Sequence, residues 1–403
     1  MSREAAAAFD HLRANADGVT ALQIELSEIA APTGAEGARG EAVGRWLSGT
    51  GCAVQTDAVG NMIARRAGQR SEGECVVLSA HLDSIFDAEQ PLQVARAGER
   101  SPYRARTVVP KGELHGPGIA DDAAGLAAVI AVAQALAAGE VQTSRELQFV
   151  ATVGEEGRGD LRGAQHFFAE ADKGQIGAFI TIDHPSANSV VNRGVGSRRF
   201  AVEFSGPGGH SWNDFGRYNP AHALAAAADQ VAMLMVPTEP KTTVNIGVIQ
   251  AGQAVNAIPE SARMEIDLRS ESTAQLDDLE TGVRTAVAQA HAEETQRSTE
   301  GEAIVAIEEI GHRPAGTTPA ETPLVRAAWR ALEAEGFKPV LVASSTDANA
   351  AMAAGVPAIA LGWGGRCGDL HSTREYFAPE GRERSLAAIL HLLLELAGPV
   401  ATV

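Results

Sequence analysis

Strand patterns and helical patterns alternate along much of this chain, and this alternation restricts the possible folds more than any other feature. Apolar and β-branched runs at 75–80, 147–153 and 178–182 are typical of strands, and helical patterns at 123–138 and 161–171 separate them. Strands that alternate with helices usually pair in parallel and carry helices on both faces. We therefore expect an α/β domain with a mostly parallel sheet covered by helices.

The middle of the chain has a different order of elements. Strand, helix, strand, strand, helix and strand patterns fall at 199–204, 220–235, 243–250, 262–268, 273–292 and 303–308. This βαββαβ order is typical of a ferredoxin-like unit. The α/β pattern then resumes, so we predict an α/β domain in two parts, 1–195 and 313–403, with a ferredoxin-like domain inserted at 196–312.

The acidic composition argues against several classes of partner. The chain has 33 lysines and arginines against 51 aspartates and glutamates, which gives a net charge of −18. This charge repels phosphate backbones and anionic membranes, so we expect no nucleic-acid and no membrane partner. The most apolar segment, 123–139, is also shorter than the roughly 20 residues that a membrane span needs.

The cysteines and the first residues indicate a compartment. Cys52, Cys75 and Cys367 are far apart in the sequence, which favours neither a disulfide framework nor a thiolate zinc site. Charged residues interrupt the first 15 positions, where an export signal would be apolar. We therefore expect a cytoplasmic location.

Acidic residues and histidines follow three of the predicted strands. His81 and Asp83 come after the first strand, Glu155 and Glu156 after the second, and Asp183 after the third. Ligands of open α/β sheets bind beyond the carboxyl ends of the strands. Side chains alternate along a strand, so His81 and Asp83 face the same way. A metal-bound imidazole with a carboxylate beside it fits this pattern.

Two further segments add to this set. Asp121 and Asp122 follow a tight turn and open a helix, and His371 lies in a loop after a later strand. Each residue alone is weak evidence. Asp121 and Asp122, for example, could simply be carboxylates that the helix dipole stabilises. Together they predict an anionic pocket that needs cations. Imidazole and carboxylate ligands without thiolates suit two divalent ions, zinc first and cobalt or manganese as alternatives.

These segments resemble the co-catalytic zinc exopeptidases that include peptidase T, glutamate carboxypeptidase, aminoacylase and acetylornithine deacetylase. The resemblance rests on His81-Leu82-Asp83, Gly116-Pro117-Gly118-Ile119-Ala120-Asp121-Asp122, Glu155-Glu156-Gly157, Asp183, Gly209-His210-Ser211 and His371-Ser372, in this order along nearly the whole chain. The Ala-Asp-Asp run and the Ser-Thr-Asp loop at 345–347 favour the peptidase T-like branch.

The resemblance implies a role for each residue of the set. His81 and Asp183 would hold one metal ion, Glu156 and His371 the other, and Asp121 would bridge both. Glu155 would act as the general base, and Asp83 would orient the first ligand. Asp122 we interpret as a helix cap, and His184 as a rival ligand or a donor beside the ligands.

The inserted domain would be a lid that forms a homodimer. Its His210 would reach the active site of the neighbouring subunit and stabilise the tetrahedral oxyanion. Asn256 and Asp347 resemble substrate-contacting residues. The guanidinium of Arg193, Arg269 or Arg366 could bind a substrate carboxylate by a bidentate pair.

The predicted function is metal-dependent hydrolysis of an amide bond in a di- or tripeptide. An N-acyl amino acid deacylase of the same family and a catalytically idle peptide-binding relative are the alternatives. Glu155 argues against the idle relative, since a pure binder needs no base. A nucleotide site at Gly116-Pro117-Gly118 is disfavoured because Asp121 stands where a phosphate would bind. A serine hydrolase is also disfavoured, because the sequence contains no Gly-x-Ser-x-Gly motif.

Overall fold

The computed structural model describes residues 2–70, 73–105, 107–171, 173–299 and 302–399. The α-helices of this part are α1 Arg3–Ala14, α2 Ala16–Ser27, α3 Gly37–Ser48, α4 Ala123–Ala138, α5 Arg162–Glu170, α6 Pro220–Ala232, α7 Thr273–Arg297, α8 Pro323–Ala334, α9 Ala348–Ala353 and α10 Arg382–Ala397. None of these helices is both long enough and apolar enough to cross a membrane.

The β-strands are numbered in the order in which they occur along the chain. They are β1 Ala53–Thr56, β2 Met62–Arg66, β3 Cys75–His81, β4 Ala95–Arg96, β5 Leu114–His115, β6 Leu147–Thr152, β7 Ile176–Ile182, β8 Ser189–Gly194, β9 Gly196–Ser205, β10 Gly209–His210, β11 Thr242–Ala251, β12 Ala257–Ile258, β13 Ser261–Ser270, β14 Ile304–Arg313, β15 Gly316–Thr317, β16 Val340–Ser344, β17 Ala358–Leu361, β18 Arg366–Gly368 and β19 Tyr376–Ala378.

The chain divides into two compact units. The α/β unit is formed by the chain up to Gly194 and from Thr317 onward, and the inserted unit is Val195–Gly316. The central sheet of the α/β unit has the order β1-β2-β6-β3-β7-β17-β8, and β16 pairs with β8. The pairs β3–β6, β3–β7, β7–β17 and β8–β16 are parallel. The predicted α/β fold with a mostly parallel sheet is confirmed.

Helix α4 packs against the centre of this sheet and is buried on nearly all sides. Asp122 caps its amino terminus by accepting a hydrogen bond from the Gly125 N–H at 3.1 Å, as we predicted for this residue. A β-carbon at Gly125 would lie 2.2 Å from the carbonyl oxygen of Ile182, at the end of β7. Only glycine allows this approach, which brings the helix start and its carboxylates to the strand ends.

A small antiparallel sheet of the α/β unit was not predicted. It has the order β18-β19-β5-β4. These strands are only two or three residues long. Such lengths are too short to produce a recognisable alternation of apolar and polar residues. The loop between β18 and β19 contains His371.

The inserted unit is an antiparallel sheet packed against two helices. Its strand order is β11-β13-β9-β14, which is the order of a ferredoxin-like unit. Strand β13 alternates between buried and more exposed residues. Its Met264 and Ile266 lie opposite Val202 and Phe200 of β9, and all four belong to one apolar cluster with residues of α6 and α7. The apolar layer between sheet and helices is therefore the core of this unit.

Candidate metal centre

Three neighbouring parallel strands deliver polar side chains to one edge of the central sheet. Strand β3 ends at His81, β6 precedes Glu155 and Glu156, and β7 precedes Asp183. Strand β3 lies between β6 and β7, and all three run in the same direction. Because their carboxyl ends lie at the same edge, the residues that follow them converge there.

His81 is almost completely buried and lies among carboxylates. Its Nε2 is 2.9 Å from an oxygen of Asp121 and 4.0 Å from one of Asp183. Its Nδ1 is 3.1 Å from the carbonyl oxygen of Asp83. Burial lowers the pKa of His81, but the neighbouring carboxylates, Asp122 foremost, raise it well above the usual value. A hydrogen bond from Nδ1 to Asp83 leaves Nε2 facing the other carboxylates.

Asp83 connects this histidine to the Glu155–Glu156 turn. Its carboxylate accepts hydrogen bonds from the backbone N–H groups of Glu155 and Glu156, each at 2.9 Å, and from the Thr33 hydroxyl at 2.8 Å. Burial would raise the pKa of Asp83, but its bonds to His81 and to these backbone groups hold that pKa down at about 2. An ionised Asp83 therefore fixes the backbone of both glutamates.

Asp121 lies between the two histidines. One carboxylate oxygen faces His81, and the other is 3.1 Å from Nε2 of His371. The same His371 atom is 3.1 Å from Glu156 Oε1. Burial would raise the pKa of Asp121, but hydrogen bonds to His371 and His81 hold it well below the usual range. Asp121 therefore joins two sets of potential ligands.

The donor atoms form overlapping groups that could each hold a metal ion. Within a group, one donor atom of each residue lies within 4.8 Å of the others. Burial, followed by the neighbouring carboxylates, raises the pKa of Asp183 well above its usual value. So many acidic groups in one place need positive charge, and divalent ions would supply it. The groups are His81, Asp121, Asp122 and Asp183; His81, Glu155 and Glu156; and Asp121, Glu156 and His371.

Asp122 belongs to one of these groups, but its oxygens already have partners. One accepts a hydrogen bond from the His81 backbone N–H at 2.9 Å, and the other caps α4 through Gly125. Burial raises its pKa well above the usual value. These contacts favour a structural role for Asp122.

Two buried residues beside the cluster were missed by the sequence analysis. Glu375 accepts hydrogen bonds from the backbone N–H groups of Ala120 at 2.6 Å and Asp121 at 3.0 Å. Burial, followed by the Asp121 charge, raises the pKa of Glu375 to about 8. Arg39 donates to the carbonyl oxygen of Leu82 at 2.9 Å, and burial lowers its pKa to about 10. Neither residue has a sequence signal beyond its charge, since its partners are distant along the chain.

Three other predicted residues of the α/β unit belong to none of these groups of donor atoms. Asp347 is buried in the α/β unit and accepts a hydrogen bond from the Thr152 hydroxyl. Arg366 lines a separate cavity of about 310 Å³ together with Arg382 and Lys111. Their roles in substrate binding stay predictions. His184 is half-buried, its Nδ1 accepts a hydrogen bond from the Ser186 N–H at 3.1 Å, and burial lowers its pKa.

His210 and Asn256 lie next to each other in the inserted unit. The Ser211 N–H donates to the carbonyl oxygen of Asn256 at 3.0 Å, and His210 pairs with Ala257 between β10 and β12. His210 is exposed, and its backbone N–H donates to Asp214 at 2.7 Å. The oxyanion role of His210 and the substrate contact of Asn256 stay predictions.

Comparison with solved structures finds the same fold in other proteins. Aminopeptidase PepT from Bacillus cereus is 19% identical, with a TM-score of 0.77 over 95% of this chain and 99% of its own. The YXEP protein from Bacillus subtilis, described as a dinuclear metal binding peptidase, is 15% identical, with a TM-score of 0.69 over 96% and 100%. A hydantoinase/carbamoylase family amidase from Burkholderia ambifaria is 20% identical, with a TM-score of 0.62 over 96% and 98%.

The sequence comparison identifies the family. No curated protein matches this chain significantly. The sequence profile of peptidase family M20/M25/M40 matches residues 77–397, which is most of the chain. This match confirms the predicted resemblance to the co-catalytic exopeptidases and the prediction of a hydrolytic enzyme. The chain belongs to peptidase family M20/M25/M40.

Proposed function

We propose that this protein is a two-metal exopeptidase that hydrolyses an amide bond in a di- or tripeptide. The observation that carries the proposal is Asp121, whose two oxygens lie 2.9 Å from His81 Nε2 and 3.1 Å from His371 Nε2. Asp183 lies on the His81 side, and Glu156 on the His371 side. A carboxylate shared between two such sets is the donor arrangement of a two-metal hydrolytic site.

The residues fit divalent ions in number and chemistry. His81 and Asp183 would hold one ion, Glu156 and His371 the other, and Asp121 both. Imidazole and carboxylate ligands suit zinc, and also cobalt or manganese. When bound, the ions supply polarisation of the scissile carbonyl group and a lowered pKa of water.

Glu155 is the proposed general base. It is 5% exposed, and its carboxylate lies in one group with His81 and Glu156. The carboxylate of Asp83 accepts a hydrogen bond from the backbone N–H of Glu155 at 2.9 Å, which fixes the point from which the Glu155 side chain extends. A carboxylate oxygen of Glu155 would take a proton from the attacking water and pass it to the leaving amine nitrogen.

The inserted unit would contribute to a dimeric enzyme. We place His210 at the oxyanion of the substrate bound by the neighbouring subunit, with Asn256 contacting that substrate. The exposure of His210 and of Trp212, which is 84% exposed, supports a loop that meets a partner. The three cysteines are free, which supports a location in the reducing cytoplasm.

A second candidate is the hydrolysis of the amide bond of an N-acyl amino acid. The structural likeness to a hydantoinase/carbamoylase family amidase favours it, since the same fold carries that class of enzyme. The same metal ligands and the same base would serve both reactions, so the substrate pocket decides between them.

The test measures the hydrolysis of a panel of substrates by the wild-type protein and by a variant that lacks the proposed base. We expect zinc-loaded protein to hydrolyse di- or tripeptides faster than N-acetylated amino acids. Glu155→Gln should retain both ions and lose turnover by a factor of about 10²–10⁴, the usual contribution of a general base. Glu89→Gln, which changes an exposed glutamate, is the matched control and should be fully active. Full turnover in Glu155→Gln would eliminate the base, and faster cleavage of the acetylated substrates would select the second candidate.

A further inference from the structure

The loop that carries His371 is contacted by Arg104, which lies between β4 and β5 of the small antiparallel sheet. This loop, residues 369–375, joins β18 to β19. Asp369 has a φ of 53° and His371 a φ of 59°. Residues with a β-carbon rarely adopt this left-handed conformation, which persists where surrounding contacts enforce it. The position of His371 therefore depends on what holds its loop.

Arg104 makes three contacts with this part of the chain. Its Nη2 forms an ion pair with the carboxylate of Asp369, and its Nε donates to the carbonyl oxygen of Arg374 at 2.9 Å. Its guanidinium also lies 4.9 Å from the centre of the Tyr376 ring, at the start of β19. Asp369 and Arg374 flank His371 on both sides. One planar group thus joins both sides of the loop.

Glu375 attaches the end of the loop to the start of α4 through the backbone N–H groups of Ala120 and Asp121, whereas the turn around Ser372 is held by local bonds. The Ser372 hydroxyl donates to the carbonyl oxygen of Asp369 at 2.7 Å, and the Arg374 N–H donates to that hydroxyl at 3.2 Å. These bonds shape the turn, but they do not attach it to the remainder of the unit. Arg104 attaches the side of the loop that Glu375 does not reach, through Asp369, and it belongs to the segment 87–115, which lies between β3 and α4.

We propose that Arg104 is a positioning residue that keeps His371 Nε2 facing Asp121 and Glu156. The proposal rests on the proposed function, in which His371 is a ligand of the second ion. Arg104 touches no ligand itself and acts through Asp369 and Arg374. The segment 87–115 thereby becomes part of the second metal site, although none of its residues was predicted to be a ligand.

The first test measures the loop without any metal. In chelator-treated protein, Arg104→Ala should speed amide hydrogen exchange in peptides that cover 366–376 by about tenfold or more, the scale expected when an ordering contact is lost. Arg96→Ala is the matched control, since Arg96 lies in β4 and its side chain makes no hydrogen bond or ion pair among the described residues. Unchanged exchange in Arg104→Ala would overturn the proposal.

The second test measures the two metal affinities by titration of zinc against a competing chelator. Arg104→Ala should weaken the ion that His371→Ala loses by about 10–100-fold, as is usual when a residue that orients a ligand is removed, and leave the other ion unchanged. Arg104→Lys keeps the charge but not the planar fork, so its affinity should fall between those of the wild type and Arg104→Ala. Asp369→Asn added to Arg104→Ala should cause little further loss.

The outcomes separate this proposal from the proposed function. If both ions weaken equally and the thermal midpoint of the metal-free protein falls, Arg104 is only a structural residue and the proposal is wrong. His371→Ala should lose one ion of two. If His371→Ala keeps both ions, the proposed function is wrong at this ligand, while the exchange measurement still decides whether Arg104 holds the loop.

Discussion

Both units of this protein have an apolar core, but among the described residues only the α/β unit also buries a cluster of ionisable groups at the ends of its strands. At the strand ends of the α/β unit, His81, Asp83 and Asp122 are at most 1% exposed, although all three are polar or ionisable. The buried layer of the inserted unit is apolar and includes Phe200 and Phe204, and the loop that we propose to meet a partner is exposed. Burial of apolar side chains stabilises a fold, whereas burial of like charges opposes folding. The buried ionisable cluster is therefore suited to binding ions, whereas the apolar layer stabilises the inserted unit.

The largest effect that tests this contrast is expected in the core of the inserted unit. Phe204→Ala removes a ring that is fully buried. We expect it to destabilise the inserted unit by about 3–5 kcal/mol, the usual cost of deleting a buried phenylalanine side chain, without changing metal affinity. Hydrogen exchange in peptides from β9 and β13 as a function of denaturant would measure this loss.

Phe215→Ala is the matched control for this experiment. Phe215 lies in the same unit but is 88% exposed, so the same substitution should change stability by no more than about 0.5 kcal/mol. Equal losses for the two variants would show that the apolar layer is not what stabilises the inserted unit.

Metal removal should have the next largest effect on stability, and it should fall on the other unit. Zinc at a hundred times its dissociation constant stabilises the state that binds it by about 2.7 kcal/mol. We therefore expect chelation to speed exchange in peptides from β3 and β7 and to leave those from β9 and β13 unchanged. The same treatment should abolish hydrolysis. An equal response of both units would contradict the assignment of the ions to the α/β unit.

The smallest effect is expected at the exposed surface of the inserted unit. Trp212→Ser should change its folding free energy by less than about 0.5 kcal/mol, because the indole is 84% exposed and contributes little to packing. Sedimentation of the same variant measures whether the surface serves association instead. A weaker dimer with unchanged folding stability would support the proposed contact, and an unchanged dimer would place the contact elsewhere.

Much of the fold could be predicted because its signals are local. The alternation of strands and helices predicted the parallel sheet, and the order βαββαβ predicted a ferredoxin-like unit. Helix α1 was missed, although Ala5, Ala8, Phe9 and Leu12 are buried at the spacing of one helix face. Alanine is a weak apolar signal, which explains the omission.

The site divides in the same way. His81, Glu155 and Asp183 lie at or just beyond the ends of strands, so the alternation of strands and helices predicts that they converge. Glu375 and Arg104 could not be predicted, because each acts through partners more than 250 positions away in the sequence. Residues that position a ligand from a distant part of the chain leave no local pattern, unlike Asp83, which lies two positions from His81. The tertiary structure is needed to find them.

The inserted unit begins and ends on neighbouring strands. Ser197 near the start of β9 lies opposite Arg313 at the end of β14, in antiparallel register. A module whose two ends already stand side by side can be exchanged, lengthened or duplicated during evolution without rerouting the chain that hosts it. A family could in this way diversify its inserted unit while inheriting the α/β unit unchanged.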